Sequence, residues 1–238
     1  WGKSGVVDSS NAPAVFAPSD AFLGVWHLDE QVADGVRGLI DATGRSGGDA
    51  RADSIAAGGG QTGVAAQVGN GAQIGPLKGM MSTHDVEPQN DMTVSLWIRP
   101  TAGSQGGEFI IMERNCEQEA LCPPGGEPWH TYAIQISGSL TPVFLWSTVD
   151  TTYSASASSD MGLDVWTHVA CHREADSLRV FVNGVRTGAS GGVVGPPNDP
   201  EWGLKIGAEN VESRSFEGYY DEVRIDSVAR SPAWIRLC

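Results

Sequence analysis

The most informative chemical group in this sequence is a carboxylate near the end of the chain, in the run GYYDEVRI. Val223 and Ile225 are expected to face a core. The two-residue period of a strand then turns Asp221 to the same side, and Glu222 with Arg224 to the other. An inward carboxylate is unfavourable unless it is hydrogen-bonded or bound to a metal. Asp221 is therefore predicted either to bind a cation or to accept hydrogen bonds from the backbone N–H groups of a loop.

Three further acidic residues are candidate partners of Asp221 in a cation site. Asp29 and Glu30 end the first β-patterned run, and Asp41 opens a glycine-rich stretch whose carbonyl groups can approach an ion. Calcium takes six to eight oxygen ligands from carboxylates and backbone carbonyls. The sequence contains no EF-hand spacing, so calcium is a hypothesis that depends on these four carboxylates meeting in space.

Aromatic side chains are the other candidate ligand groups, because their faces can stack on sugar rings. Most aromatic residues of a sandwich serve as ordinary core. The Met92–Ile98 run places three apolar residues on one side and Trp97 on the other. Trp97 is therefore the predicted ligand-binding residue, on an outer, concave sheet surface. The remaining aromatic candidates are Trp129, Trp146, Tyr153, Trp202, Tyr219 and Tyr220.

The four cysteines are too few for a disulfide scaffold. Cys116 and Cys122 bracket a short loop, and a disulfide between them would suit an oxidising compartment. A second bridge between Cys171 and Cys238 is open, and the alternative for Cys171 is a small buried thiol.

The elements that must position these groups are predicted to be strands. The run WTHVACHREADSLRVFVNG, residues 166–184, reads as a β-hairpin with an apolar inner face, closed by a polar turn and followed by the tight turn Asn183-Gly184. A lone hairpin is marginal in water, so other strands must pair with it. Residues 30–62 are predicted to be long loops, and Ser154–Ser159 to be an edge strand or loop. The other predicted elements are strands at Phe22–Leu28, Val64–Val68, Ala72–Ile74, Met92–Ile98, Phe109–Glu113, Thr131–Ser137, Val143–Thr148, Leu204–Ile206 and Phe216–Asp226, and a helical turn at Pro232–Arg236 capped by Ser231.

This pattern predicts an all-β fold, a two-sheet antiparallel β-sandwich over residues 21–238. Residues 1–20 are predicted to be a linker or the tail of a preceding domain, with a short strand through Ala14–Phe16. The net charge of −14 opposes nucleic acid and anionic lipid as partners, and the 15 basic residues form no cluster along the chain. Apolar runs are too short to cross a bilayer, so no membrane insertion is predicted.

The ordered motifs resemble laminin-G-like, concanavalin A-like jelly-roll domains. The resemblance rests on the 166–184 hairpin and on stretches that follow the order of that family. These are LGVWHLDE (23–30), DATGRSGG (41–48), TVSLWIRP (93–100), LKIG (204–207), GYYDEVRI (218–225) and SVARSPAWI (227–235).

The resemblance implies a structural calcium ion at the rim of the sandwich. By that likeness the ligands are Asp221 and either Asp29 or Glu30, with Asp41 as an addition. It also implies a non-catalytic recognition or adhesion module, binding carbohydrate or a surface glycoprotein. The opening WGKSGV resembles the end of a small domain that precedes such sandwiches in bacterial surface proteins, which predicts an extracellular, multidomain parent.

Two other functions are kept as alternatives. One is a structural or assembly module of a cell-surface protein. The other is a glycoside hydrolase, since DEVRID places Glu222 and Asp226 on one predicted face, but Arg224 between them would pair with the acids rather than leave one protonated. His168 and His172 are predicted to share a strand face, which is more typical of packing or hydrogen bonding than of a metal site.

Overall fold

The structure, a computed structural model, describes residues 12–75, 80–84, 86, 90–101, 107–114, 130–148, 150–197, 202–208 and 215–238. Its helical elements are short: α1 (Ala12–Val15), a 3₁₀ turn (Pro18–Asp20) and α2 (Pro232–Ile235). Within the described ranges, no helix is long and apolar enough to span a membrane. In chain order the strands are β1 (Phe22–Trp26), β2 (Arg37–Leu39), β3 (Ala50–Asp53), β4 (Gln61–Ala65), β5 (Asn70–Ile74), β6 (Met80–Ser82), β7 (Met92–Pro100), β8 (Phe109–Arg114), β9 (His130–Ser137), β10 (Thr141–Ser147), β11 (Thr152–Ser156), β12 (Thr167–Glu174), β13 (Ser177–Val182), β14 (Val185–Ser190), β15 (Trp202–Ile206) and β16 (Gly218–Asp226).

The strands form two antiparallel sheets. The first sheet has the order β14-β13-β12-β7-β16-β5-β4, and β1 also pairs with β16. The second has the order β11-β10-β9-β8-β15-β6-β3-β2. The predicted hairpin is β12–β13, in which Cys171 pairs with Val180, and β12 continues the sheet to β7. The predicted antiparallel β-sandwich is confirmed.

The inner faces of both sheets meet in one hydrophobic core. Val94, Leu96 and Ile98 of β7 are fully buried, as their alternation predicts. The same cluster contains Val180 of the hairpin and Val223 of β16. Burying a side chain of this size contributes about 1.5–3 kcal/mol. This burial determines which face of each strand points inward, and so which residues face outward.

Two stretches differ from the sequence-based expectation. Residues 30–62 contain β2 and β3 and the start of β4, so the prediction of loops throughout is wrong in part. Strands of three or four residues are too short to display a two-residue period. The strand predicted at Ala14–Phe16 is also wrong, because α1 occupies Ala12–Val15, and Phe16 packs edge-on against Phe22 at 5.3 Å between ring centroids.

A β-bulge in β16 reverses the direction of one important side chain. Asp221 pairs with Trp97 and Arg224 with Ser95, which leaves two residues of β16 opposite one residue of β7. Glu222 sits in this bulge with a left-handed φ of 52°. Because of the extra residue, Asp221 lies on the outer face beside Trp97. The prediction that strict alternation turns Asp221 toward the core is wrong.

Candidate functional site

The outer face of the first sheet, which is turned away from the core, carries Trp97, Asp221 and the two histidines of β12. Trp97 pairs with His168 across β7 and β12, and their rings lie 5.3 Å apart. His172 lies on the same face of β12, as predicted. Four residues of extended strand separate the two histidines by about 13 Å, which is too far for both to bind one metal ion.

An open cavity of about 470 Å³ surrounds Trp97. We call it the Trp97 cavity; its lining includes Trp97, Trp166, His168, Asn183, Gln67 and Arg236. Trp97 is half-buried, and its Nε1 donates a hydrogen bond of 3.0 Å to the backbone carbonyl of Cys238. This bond holds the plane of the indole. Trp97 thus lies on an outer sheet face, as its alternation predicts, and its role in ligand binding stays a prediction.

Apart from Arg236, the polar side chains that line the Trp97 cavity are neutral. Burial, followed by the nearby charge of Arg224, lowers the pKa of His168 to about 4, so its imidazole is uncharged at neutral pH. The backbone N–H of His168 donates to Asn183 Oδ1 at 2.9 Å. Asn183 and Gln67 are exposed. The cavity therefore offers uncharged hydrogen-bonding groups beside two indoles, which suits a ligand rich in hydroxyl groups.

A cation–aromatic stack lies on the same face. The guanidinium carbon of Arg99 is 3.9 Å from the centroid of the Tyr219 ring and 5.6 Å from that of Trp166. Trp166 and Tyr219 meet edge to face at 6.3 Å. Arg99 and Trp166 were not among the residues selected from the sequence. The period of two could have identified Arg99, since it lies two residues after Trp97 on the same strand.

The C-terminal turn packs across this face. Ile235 is fully buried and contacts Ala170 of β12 and Phe181 of β13. Ser231 caps α2, as predicted, because its hydroxyl accepts a hydrogen bond of 3.2 Å from the backbone N–H of Trp234. The turn therefore forms one wall of the Trp97 cavity.

Asp41 anchors a loop to the first strand. Its Oδ1 accepts hydrogen bonds from the backbone N–H groups of Val25 at 3.1 Å and Thr43 at 3.0 Å. Its Oδ2 accepts from the Thr43 hydroxyl at 2.6 Å. Both carboxylate oxygens are therefore already engaged, and the contacts of Asp41 account for its burial without a cation.

Only one of the two carboxylate oxygens of Asp221 has a hydrogen-bond partner among the described residues. Its Oδ2 accepts a hydrogen bond of 2.6 Å from the backbone N–H of Val68, the loop contact predicted as the alternative to a cation. Its Oδ1 is buried and has no hydrogen-bond partner among the described residues. Burial raises the pKa of Asp221 to about 7, and the neighbouring charge of Glu222 acts in the same direction.

The remaining predicted metal ligands have separate surroundings. Glu30 Oε1 accepts from the backbone N–H of Ile40 at 3.2 Å, and burial raises the pKa of Glu30. Asp29 is exposed. Where the structure describes the chain, no three His, Cys, Asp or Glu side chains form a group that could hold a metal ion. Asp221, Asp29, Glu30 and Asp41 therefore do not come together in one group of side chains, and calcium binding stays a prediction.

The acids of DEVRID are held by different arginines. Glu222 accepts from Arg224 at 2.5 Å and contacts His27 at 2.7 Å. Burial alone would raise the pKa of Glu222, but these two partners leave it lowered. Asp226 pairs with Arg230 at 2.5 Å. Each acid is therefore paired with an arginine of its own.

The cysteines that the structure describes are both free. Cys171 lies in the core, where burial raises its pKa, and so matches the small buried thiol predicted as one alternative. Cys238 lies on the outer face near Arg224. A bridge between them is therefore not formed. The predicted Cys116–Cys122 disulfide lies outside the described residues, as does Trp129.

The fold places the chain in the class of antiparallel β-sandwich proteins, and the comparison with family models agrees with this class. A laminin G family model, described as the concanavalin A-like lectin/glucanases superfamily, matches residues 78–236, which is more than half of the chain. The chain belongs to this superfamily, as its motifs predict. The comparison with curated protein sequences found no match.

Solved structures share the fold at low sequence identity. Domain 4 of AbnA, an extracellular arabinanase from Geobacillus stearothermophilus solved in complex with arabinotriose, has a TM-score of 0.66 and 17% identity, covering 91% of this chain and 97% of that one. The binding domain of botulinum neurotoxin serotype D has a TM-score of 0.64 and 12% identity, and the match covers 92% of this chain and 51% of that one. A sialidase from Trypanosoma rangeli has a TM-score of 0.59 and 14% identity, and the match covers 90% of this chain and 32% of that one.

Proposed function

We propose that this chain is a non-catalytic, carbohydrate-binding module of an extracellular protein and that the Trp97 cavity is its ligand site. The observation that carries this proposal is the meeting of two half-buried indoles, Trp97 and Trp166, with the amides of Asn183 and Gln67 in one open cavity. Sugar rings present apolar C–H faces and a rim of hydroxyl groups. Indole faces and amide groups complement those two kinds of surface.

The structural neighbours support the class of ligand and the location. The arabinanase domain was solved with arabinotriose and comes from an extracellular enzyme, and the binding domain of botulinum neurotoxin serotype D was solved with N-acetylneuraminic acid. These ligands belong to those proteins. They favour free oligosaccharides or surface glycoproteins as the partners to test here.

Two features support a binding role over the alternatives. The pairing of Glu222 with Arg224, and of Asp226 with Arg230, opposes an acid–base pair for hydrolysis. Assembly through the edge strand β14 has less support, because the segment after β11 already bonds to it, with the Ser158 N–H donating to the Thr187 carbonyl at 2.9 Å.

The test begins with a glycan array on the whole chain, followed by titration calorimetry with the best oligosaccharide. Trp97→Ala is expected to weaken binding at least about 30-fold, the loss typical of a central aromatic contact. Trp97→Phe removes the Nε1 bond to Cys238 but keeps an aromatic face, and because of that face it is expected to retain most of the affinity. Tyr153→Ala, a half-buried aromatic of the second sheet, is the control and should bind normally.

Two outcomes would overturn the proposed function. One is an array without any bound glycan. The other is cleavage of the bound oligosaccharide that disappears in Glu222→Gln, which would make the chain a hydrolase. Circular dichroism of each variant separates loss of binding from loss of folding.

Calcium is a separate and less supported part of the proposal. What favours it is the buried Asp221 Oδ1, an oxygen that a cation could neutralise. What opposes it is the lack of a further ligand group around Asp221 among the described residues. The ion is proposed only as a stabiliser of the fold, with no part in ligand binding.

A further inference from the structure

A second cavity, of about 600 Å³, lies on the other side of the C-terminal turn. We call it the arginine cavity, because Arg179, Arg186, Arg230 and Arg236 all line it. The basic residues form no cluster along the sequence, yet 4 of the 15 converge here on folding. The hairpin β13–β14 supplies two of them, and the C-terminal segment supplies the others.

Two of these arginines have anionic partners. Arg179 forms an ion pair with Glu174, and its Nη1 lies 3.1 Å from His172 Nε2. Burial lowers the pKa of His172, so this imidazole accepts the hydrogen bond as a neutral group. Arg230 bonds to Asp226 through both Nε and Nη2, at 2.9 and 2.5 Å. The charges of Arg179 and Arg230 are therefore balanced within the protein.

The positive charges of the other two arginines are not balanced by an ion pair among the described residues. Arg186 and Arg236 are exposed, and neither guanidinium group has a hydrogen bond or ion pair within the described part of the chain. Arg186 pairs with the buried Phe181 across the hairpin, which places it on the outer face. Arg236 packs over Gly184, where an added Cβ would lie 2.6 Å from Arg236 Cγ. The cavity thus carries two unpaired positive charges in a chain whose net charge is −14.

We propose that the arginine cavity binds an oxyanion, the carboxylate or sulfate group of an acidic saccharide, through Arg186 and Arg236. Guanidinium groups bind such oxyanions with charge-assisted, often bidentate hydrogen bonds. The Trp97 cavity and the arginine cavity share Gly184 and Arg236, so one oligosaccharide can occupy both. That the oxyanion belongs to a saccharide rests on the proposed function; that the cavity binds an oxyanion does not.

The experiment compares acidic saccharides with neutral counterparts. The probes are a hexagalacturonate and its methyl ester, sialyllactose and lactose, and inorganic sulfate as an oxyanion without a sugar. We expect each acidic saccharide to bind more tightly than its neutral counterpart. Arg186→Gln is expected to weaken the acidic members about tenfold and to leave the neutral ones unchanged. Arg37→Gln, an exposed arginine of β2, is the control.

The outcomes separate this inference from the proposed function. Binding of neutral and acidic members with equal affinity, dependent on Trp97, would overturn the oxyanion site and keep the carbohydrate module. Sulfate binding that is lost in Arg186→Gln, without binding of any saccharide, would keep the oxyanion site and overturn the carbohydrate module. An acidic preference unchanged in both Arg186→Gln and Arg236→Gln would overturn the assignment to this cavity.

Discussion

The substitution Asp221→Asn tests the buried carboxyl group at the β16 bulge. Asparagine has the same shape and can still accept the hydrogen bond from the Val68 N–H, but it carries no charge at any pH. The variant therefore removes one titration from the protein and leaves the fold in place. The difference in the free energy of unfolding between the variant and the original chain therefore reports the cost of ionising Asp221 in the folded state.

The expected size of this difference follows from the pKa. An aspartate in an unfolded chain has a pKa of about 3.9, whereas burial raises the folded value to about 7. Because the folded pKa is raised, the stability contribution is present below about pH 4 and is lost as the pH rises through 7. The loss between pH 5 and 8 approaches about 3 kcal/mol, and solvent screening near the exposed Val68 reduces it to about 1–3 kcal/mol.

The assay is urea unfolding at pH 5 and pH 8, followed by tryptophan fluorescence, with a chelator present so that no cation neutralises the carboxylate. Between the two pH values, the free energy of unfolding should fall by about 1–3 kcal/mol more in the original chain than in Asp221→Asn. His168 and His172 have lowered pKa values and titrate with the opposite sign, but they are common to both proteins and cancel in the difference. Asp29→Asn, at an exposed site, is the control.

One result would refute this reasoning. If Asp221→Asn and the original chain lose the same free energy of unfolding between pH 5 and pH 8, Asp221 ionises without cost in the folded protein. Its buried Oδ1 would then have a partner that the described residues do not supply.

Two further predictions concern stability. If calcium binds at Asp221, adding a chelator at pH 8 should lower the melting temperature by several degrees in the original chain and not in Asp221→Asn, and an equal response in both would exclude Asp221 as a ligand. Ile235→Ala should lower the free energy of unfolding by about 2–3 kcal/mol in urea titrations, because Ile235 is fully buried against the first sheet. Leu237→Ala, at a side chain that is 87% exposed, should stay within about 0.5 kcal/mol, and equal losses in the two variants would contradict the packing of this turn.

The sequence alone determined the architecture, because the signal for a strand is local. Alternation over Met92–Ile98 and across the 166–184 hairpin was enough to predict which side chains face the core and that Trp97 faces outward. The Ser231 cap is equally local, since a hydroxyl and an N–H three residues apart define it. Each of these features needs only the nearest residues along the chain.

Only the tertiary structure decided the direction of Asp221 and the meeting of the arginines. The bulge at Glu222 adds one residue to one strand, and a single added residue reverses every side chain beyond it, with no local signal to announce it. Arg186 and Arg236 are 50 positions apart in the sequence, so their meeting depends on the C-terminal turn packing over the hairpin. Strand patterning specifies faces, whereas sites depend on contacts between residues that are distant in sequence.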